Sequence, residues 1–229
     1  MNEATKARPR LERYLKGKII DIGCGPDPIT PTAKAWDQED GDAQKMENIL
    51  DEEYDTVFSS HCLEHLRNPL EAVLNWWRIL KPGGHLIVIM PDEDLYEQHE
   101  WPSSFNDDHK NTFTPHKNGS WSPASTNVLD IIKHLFHHKL ISLQIIDTNY
   151  EYGIERRDQS QGEVEAAIEV ILYKQVTADG IWNTSFEHAI FCPECKASVI
   201  ALGITQNKLI GHCTKCGAPV GMDLKKSFG

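Results

Sequence analysis

The sequence lacks a long apolar run, an excess of positive charge and a phosphate-binding loop. Its longest apolar stretches, such as HLIVIM at 85–90, are far shorter than the ~20 residues that cross a bilayer, so no membrane span is expected. The net charge of -11 argues against general attraction to a nucleic-acid backbone. No G-K-S or G-K-T follows a glycine turn, which argues against a P-loop nucleotide site.

The N-terminus also lacks the apolar core of a signal peptide. Its first residues, MNEATKARPRLERYLKGK, are strongly charged. We therefore expect no export and a cytoplasmic, reducing location. In that compartment the six cysteines are more often metal ligands than disulfide partners when they occur as C-x-x-C pairs.

Strands and helices alternate along most of the chain. The apolar patterns predict helices at 3–16, 69–80 and 125–138, and strands at 18–23, 54–60, 85–91, 140–148 and 165–175. This order indicates a doubly wound α/β sheet. The last two strands, with no helical pattern between them, predict an antiparallel hairpin at the sheet edge.

A glycine turn follows the first predicted strand in KIIDIGCGPD. Gly23 and Gly25 allow a sharp turn and a close approach of the backbone to a ligand. The turn lacks the third glycine of a dinucleotide fingerprint, and the next acid, Asp37, comes early for that fold. Prolines at 26, 28 and 31 argue against a full helix in between. A ligand with an adenosine but no phosphates fits these features.

Four segments together resemble the class I S-adenosylmethionine-dependent methyltransferases, and among them the ubiquinone-type (type 11) group. They are DIGCG at 21–25, GDA at 41–43, SSHCLEHL at 59–66 and RILKPGGHLIVIMP at 78–91. The resemblance covers 18–91, and the later elements complete the topology to about 175. It implies a Rossmann-like sheet of seven strands and methyl transfer from S-adenosyl-L-methionine.

The resemblance also implies where the cofactor binds. The glycine turn would border its methionine part, Asp37 would accept the ribose hydroxyls, and Asp42 with Ala43 would hold the adenine edge. Ser60 and His61 would line the methyl-donor side. The cofactor-binding residues so implied are Asp21, Gly23, Cys24, Gly25, Asp37, Asp42, Ala43, Ser60 and His61. The alternative is that Asp37 and Asp42 are solvated loop acids.

Methyl transfer to a hydroxyl needs a base, and histidine is the natural one near neutral pH. The catalytic candidates are His61, His109 and Asp108, whereas His65 in LEHL is expected to be structural. Asp107, Asp108 and His109 could alternatively bind a divalent ion, although three consecutive residues rarely chelate together.

The long stretch 92–126 has little periodicity, and loops of this length tend to be functional. Its segment 101–114 contains three aromatic residues beside polar ones: Trp101, Phe105 and Phe113. Apolar walls with a few convergent polar groups predict a small-molecule or sugar site.

Two C-x-x-C pairs near the C-terminus predict a structural zinc site. Cys192 and Cys195 are separated by seventeen residues from Cys213 and Cys216. Four thiolates at this spacing suit tetrahedral Zn²⁺, and the intervening residues predict a β-hairpin, so the unit resembles a zinc ribbon. A disulfide framework is the alternative. The lysines of the predicted ribbon are compatible with a protein or nucleic-acid partner. Stabilising a homo-oligomer is an equally simple role for this unit.

The predicted organisation is a class I methyltransferase domain at 1–175, a linker at 176–190 and a four-cysteine zinc ribbon at 191–229. The leading functional hypothesis is methyl transfer to a hydroxyl of a small molecule or glycan. One alternative is a nucleic-acid or protein methyltransferase recruited through the ribbon, against which the acidic charge argues. The other is a non-catalytic adaptor that keeps the fold, which the short segment between Gly25 and Asp42 favours.

Overall fold

A six-stranded sheet is the centre of the larger part of the protein. The computed structural model describes residues 3–176 and, as backbone, residues 199–205, 208–213 and 219–223. The chain divides into two compact units, Met1–Val176 and Thr177–Gly229. The predicted boundaries after residues 175 and 190 stay predictions.

The first unit contains three helices and eight strands within the described residues. In chain order they are α1 (Glu3–Leu11), β1 (Ile19–Ile22), β2 (Lys34–Trp36), β3 (Tyr54–Ser60), α2 (Pro69–Ile79), β4 (Leu80–Pro91), β5 (Thr112–Thr114), β6 (Ser125–Asn127), α3 (Val128–Ile132), β7 (His138–Ile146) and β8 (Ala167–Lys174). Short 3-10 turns lie at Glu12–Tyr14 and Leu63–His65, and a π-helical turn lies at Glu93–Glu97.

The strand order of the main sheet is β2-β1-β3-β4-β8-β7. Strands β2, β1, β3 and β4 run parallel, whereas β8 is antiparallel to both β4 and β7. The predicted Rossmann-like α/β sheet and its antiparallel edge hairpin are therefore present. The carboxyl ends of four parallel strands lie at one edge, where open α/β sheets bind ligands.

The sheet has six strands, and the resemblance implies seven. Residues 23–33, between β1 and β2, and residues 37–53, between β2 and β3, form turns with neither helix nor strand in this fully described part of the chain. Three prolines in the first span remove backbone donors that a helix needs. The seventh strand that the resemblance implies is missing because residues 37–53, before β3, form turns. Strand β2 is therefore the edge strand of the sheet.

Helix α2 covers one face of the sheet. Asn68 caps its start, since the Asn68 side chain accepts a hydrogen bond from the Glu71 N–H at 3.2 Å, and Pro69 occupies the first turn, where no N–H is needed. Its buried residues are Pro69, Ala72, Val73, Trp76, Trp77 and Ile79. They form one side of the core.

Both faces of the sheet are buried because successive side chains of a strand point to opposite sides. Val57 and Val88 pack in the cluster that contains the α2 residues. Phe58 and Ile87 pack in a second cluster with Ala4, Ala7 and Leu11 of α1. The central strands β1, β3 and β4 are therefore mostly buried, as strands covered on both faces should be.

The helix predicted at 125–138 is shorter than expected. Residues 125–127 form β6, which pairs in parallel with β5, so they cannot be helical. The Asn127 side chain then caps α3 by accepting from the Leu129 N–H at 2.9 Å. Pairing with another segment overrides the local helical pattern here.

The backbone of the second unit forms a three-stranded antiparallel sheet. Its strands are β9 (Val199–Thr205), β10 (Lys208–Cys213) and β11 (Pro219–Asp223), in the order β11-β10-β9. The antiparallel pairing of β9 with β10 is the hairpin that the sequence predicts. The predicted zinc ligands Cys192, Cys195 and Cys216, and the side chain of Cys213, lie outside the described residues, so the zinc site stays a prediction. Among the described residues, no helix has the length and apolarity of a membrane span.

Candidate functional site

The glycine turn after β1 is bonded to the end of β2. The Gly23 N–H donates to the Trp36 carbonyl at 2.8 Å, and the Gly25 N–H donates to Oδ2 of Asp37 at 2.9 Å. Both glycines have positive φ, +74° and +56°, a region that other residues avoid. The structure therefore brings Gly23, Gly25 and Asp37 together at the carboxyl ends of β1 and β2.

The two glycines differ in the space around them. A Cβ at Gly23 would lie 2.6 Å from the Cβ of Cys62, so packing excludes a side chain there. At Gly25, no heavy atom of the described residues lies within 4 Å of the corresponding position. Cys24, between them, is buried. Gly25 thus leaves open space beside the carboxylate of Asp37.

Asp21 lies beneath the turn and is 1% exposed. Its Oδ2 accepts a hydrogen bond from the Ile29 N–H at 2.6 Å, which ties β1 to the loop that follows it. Burial raises the pKa of Asp21 from an ordinary 3.8 to about 7, against the lowering effect of that hydrogen bond. Asp21 therefore supports the turn from within.

Asp42 and Ala43 lie in the turns that follow β2. Asp42 is exposed, and its Oδ1 accepts from the Gln44 N–H at 2.8 Å, as in an Asx turn. The Ala43 carbonyl accepts from the Trp76 indole N–H at 2.8 Å. The shortened segment is therefore held in place by its own hydrogen bonds and by helix α2.

Strand β3 ends at the same edge of the sheet with Ser60 and His61. His61 has φ +51°, and its ring lies between two carboxylates: Nδ1 is 3.5 Å from Oε1 of Glu64, and Nε2 is 3.6 Å from Oε2 of Glu3. Burial lowers the pKa of His61, but the two carboxylates raise it by more, so its pKa lies above the ordinary value. Ser60 Oγ is buried without a hydrogen-bond partner among the described residues.

A buried cluster of histidines and carboxylates adjoins His61. The 3-10 turn at Leu63–His65 supplies Glu64 and His65, and the long loop supplies His109. One ligand atom of each of these three residues lies within 4.8 Å of the other two. The backbone joins the two segments, since the Lys110 N–H donates to the Glu64 carbonyl at 2.8 Å.

Each histidine of this cluster is oriented by a carboxylate. Nδ1 of His109 is 2.7 Å from Oε1 of Glu97, and Nδ1 of His65 is 3.0 Å from Oδ2 of Asp108. Glu97 is buried, whereas the Asp108 side chain is 65% exposed. The predicted catalytic residues His61, His109 and Asp108 thus lie around one pair, Glu64 and His65.

Glu64 and Glu97 are not among the site residues predicted from the sequence. Glu64 lies between two histidines in HCLEHL, a pattern that could have indicated a polar site. Glu97 lies in the acidic run DEDLYE, where no local pattern distinguishes the acid that contacts a histidine from the other acids.

The aromatic residues of the long loop do not form one binding wall. Phe113 is 0% exposed in the main core, because it lies on the buried strand β5. Phe105 packs against Tyr96, with ring centroids 6.0 Å apart, and lies 4.1 Å from the Arg156 guanidinium. A cleft of about 370 Å³ lies instead beside the π-helical turn. Its polar and aromatic lining includes Asp94, Gln98, His99, Tyr150, Tyr152 and Arg156.

The groups at the sheet edge fit S-adenosylmethionine. A carboxylate can accept about four hydrogen bonds, and Asp37 is bonded to two backbone N–H groups, those of Gly25 and Gln38, so it retains capacity for ribose hydroxyls. The space at Gly25 admits a ligand close to the backbone. Residues 19–33 contain no lysine or arginine, which suits a ligand without phosphates.

Part of the chain matches a known protein family. Residues 27–88 match the family described as "Methyltransferase domain". This segment contains Asp37, Asp42, Ser60 and His61 and ends in β4. A search of curated proteins found no match to the chain.

The chain is also similar to several solved structures. A SAM-dependent methyltransferase from Thermotoga maritima is 18% identical, with a TM-score of 0.47 and coverage of 75% of this chain and 89% of that one. A SAM-dependent methyltransferase from Archaeoglobus fulgidus is 16% identical, with a TM-score of 0.45 and coverage of 75% and 94%. A chain in the complex of the Haloferax volcanii Trm112 methyltransferase activator with a methyltransferase is 12% identical, with a TM-score of 0.45 and coverage of 75% and 89%.

Proposed function

We propose that the protein transfers a methyl group from S-adenosylmethionine to a hydroxyl of a small molecule or glycan. The observation that carries this proposal is the hydrogen bond at 2.9 Å between the Gly25 N–H and Oδ2 of Asp37. Asp37, the proposed acceptor for the ribose hydroxyls, thereby lies beside an open glycine turn, at the edge where open α/β sheets bind ligands. The match of residues 27–88 to a methyltransferase domain supports the same function.

The chain's own residues would hold the cofactor in a defined order. The glycine turn would border the methionine part, Asp37 the ribose and Asp42 with Ala43 the adenine. When bound, S-adenosylmethionine supplies an electrophilic methyl group on a sulfonium. The remaining work of the protein is to position the acceptor hydroxyl in line with that methyl group and to take up its proton.

His61 is the residue proposed to take up the proton. It follows β3 directly, at the same edge as the glycine turn, and Glu3 and Glu64 flank its ring. A ring nitrogen of His61 would take up the proton of the acceptor hydroxyl, whose new bond to the methyl carbon would replace the carbon–sulfur bond of the cofactor, and the flanking carboxylates would stabilise the resulting imidazolium. Ser60 Oγ, free of partners within the described residues, is available to accept or donate a hydrogen bond at the same position.

The acceptor is proposed to bind in the cleft beside the π-helical turn. Tyr150 and Tyr152 lie there with ring centroids 4.9 Å apart, and Asp94, Gln98 and Arg156 provide polar groups. Aromatic faces beside carboxylate and amide groups suit a sugar or another polyhydroxylated molecule.

Calorimetric titration with S-adenosylmethionine tests the cofactor site. We expect Asp37→Ala to weaken binding by about 10- to 100-fold, because it removes hydrogen bonds to a charged acceptor. Glu39→Ala is the matched control, since Glu39 is an exposed acid two residues away. Absence of binding at millimolar cofactor, or equal affinity in wild type and Asp37→Ala, would refute the site and favour the adaptor hypothesis.

Transfer of a labelled methyl group to a panel of sugars, glycans and phenols tests the reaction. We expect His61→Asn to lower kcat by about 10²- to 10⁴-fold with little change in cofactor affinity. Methylation of nucleic acid or protein, with none of small hydroxyl acceptors, would instead support the alternative in which the second unit recruits a polymer.

A further inference from the structure

Glu64 is a buried carboxylate whose two oxygens lack any hydrogen-bond partner among the described residues. The residue is 1% exposed, so bulk solvent does not reach the carboxylate. A buried charge is normally paired with hydrogen-bond donors or bound to a metal ion. His61 is one cationic neighbour, with Nδ1 3.5 Å from Oε1, and both carboxylate oxygens retain capacity for a further positively charged partner.

The side chains nearest to Glu64 stand too far away to be hydrogen-bonded to it. Nε2 of His65 is 3.9 Å from Oε1 of Glu64, and Nδ1 of His61 is 3.5 Å from the same oxygen, whereas N–H···O hydrogen bonds are about 2.7–3.2 Å long. In the same cluster, His109 and Glu97 do form a direct hydrogen bond of 2.7 Å. The longer nitrogen–oxygen distances are therefore specific to Glu64.

The distance of 3.9 Å between Nε2 of His65 and Oε1 of Glu64 is close to the distance between two ligands of one metal ion. Two atoms at about 2.1 Å from a tetrahedral ion are about 3.4 Å apart. Glu64, His65 and His109 each offer an atom within 4.8 Å of the others. These separations would have to shorten by at most about 1.4 Å to reach the spacing of ligands on one ion.

The two histidines are already oriented as metal ligands are. Metal-bound histidine almost always engages its other ring nitrogen with a carboxylate or carbonyl. Here Glu97 engages Nδ1 of His109, and Asp108 engages Nδ1 of His65. The nitrogen left for an ion is therefore Nε2 in both rings. Nε2 of His65 lies 3.9 Å from Oε1 of Glu64.

We propose that Glu64, His65 and His109 bind one divalent first-row transition metal ion, with Glu97 and Asp108 positioning the two imidazoles. Two imidazoles and one carboxylate suit Zn²⁺, Fe²⁺, Co²⁺ or Mn²⁺. Three protein ligands leave further coordination positions for water or a substrate oxygen. His109 is then a metal ligand, and His61 remains as the proton acceptor.

Mn²⁺ is the probe that separates this site from the predicted cysteine site, because thiolates favour softer ions than manganese. The full-length protein is titrated with Mn²⁺ and free ion is measured by electron paramagnetic resonance. We expect one Mn²⁺ per wild-type chain, with at least 10-fold weaker binding in Glu64→Gln and about 10- to 100-fold weaker binding in Glu97→Gln. His134→Ala is the matched control, since His134 is half-buried and bonded to the Asp130 carbonyl outside the cluster, and it should bind as wild type does.

Pulsed electron paramagnetic resonance of the bound Mn²⁺ should detect imidazole nitrogen in the wild-type protein. That signal needs no variant, so it decides the question even if Glu64→Gln fails to fold. Absence of bound Mn²⁺, bound Mn²⁺ without imidazole coupling, or equal binding in wild type and a folded Glu64→Gln would overturn the proposal. Binding of S-adenosylmethionine is measured separately, so failure of the metal site is distinguishable from failure of the proposed methyl transfer.

Discussion

At the scale of single residues, buried polar groups dominate this protein's chemistry. Asp21 is the clearest case outside the histidine cluster, because burial raises the pKa of its carboxyl to about 7. A folded-state pKa above the unfolded value of 3.8 means that the folded protein holds the proton more tightly. The corresponding stability is complete at low pH and is lost as the pH rises through about 7.

Asp21→Asn should remove this pH dependence. From this group alone, we expect the free energy of unfolding of the wild-type protein to fall by up to about 4 kcal/mol between about pH 4 and pH 8. Asparagine keeps an acceptor for the Ile29 N–H but does not ionise. Urea unfolding at pH 5 and pH 8 measures the difference, and an equal fall in the variant would contradict the role given to Asp21.

The two glycines of the turn should respond differently to the same substitution. Gly23→Ala puts a methyl group 2.6 Å from the Cys62 Cβ, so we expect a loss of several kcal/mol or failure to fold. Gly25→Ala meets open space and should cost only about 1–2 kcal/mol for its left-handed backbone. If the cofactor approaches at Gly25, this second variant should nevertheless bind S-adenosylmethionine at least 10-fold more weakly.

Thermal melts and cofactor titrations of the two variants check this pair. A Gly25→Ala protein with wild-type cofactor affinity would show that the ligand does not approach the backbone there. A Gly23→Ala protein as stable as Gly25→Ala would show that the contact with Cys62 is easily relieved.

At the scale of elements, one guanidinium of helix α1 pairs with two glutamates. Nε of Arg10 donates to Oε2 of Glu169 at 2.7 Å, and Nη2 donates to Oε1 of Glu165 at 2.7 Å. Glu169 lies on β8, and both glutamates are buried. Arg10 therefore forms ion pairs with two buried carboxylates.

Arg10→Met should destabilise the protein by about 3–5 kcal/mol, because it leaves two buried acids unpaired. Arg13→Met is the control: Arg13 is exposed and lies 4.6 Å from the Tyr14 ring centroid, so we expect a change below about 1 kcal/mol. Chemical denaturation gives both values. Adding Glu165→Gln and Glu169→Gln to Arg10→Met should restore part of the lost stability, because the buried charges are then removed. If stability is not restored, the loss in Arg10→Met comes from packing and not from charge.

At the scale of the whole molecule, the first unit contains its own cores and every residue of the two candidate sites. We therefore expect residues 1–176 alone to unfold cooperatively and to bind S-adenosylmethionine within about 3-fold of the full chain, since their buried apolar clusters are self-contained. The same fragment should keep the Mn²⁺ site and lose any zinc held by the predicted cysteine site. Calorimetry and metal analysis measure these outcomes, and loss of cofactor binding would show that the second unit completes the site.

The sequence by itself predicts the local features of this protein. The strands at 54–60 and 85–91, helix α2 and the glycine turn follow from short patterns whose physical cause is local: apolar periodicity, capping and backbone freedom at glycine. The role of Asp37 is implied by the resemblance to methyltransferases and stays a prediction. The number of strands was not predicted correctly, since the resemblance implies seven and the sheet has six.

Tertiary structure alone decides how distant segments meet. Glu64, Glu97 and His109 lie far apart in the chain and become neighbours because the long loop bonds to the Glu64 carbonyl and the π-helical turn aims Glu97 at His109. Pairing with β5 likewise makes residues 125–127 a strand where the local pattern predicts a helix. Burial then determines which of many similar acids and histidines carry unusual chemistry, since desolvation depends on neighbours in space and not on neighbours in sequence.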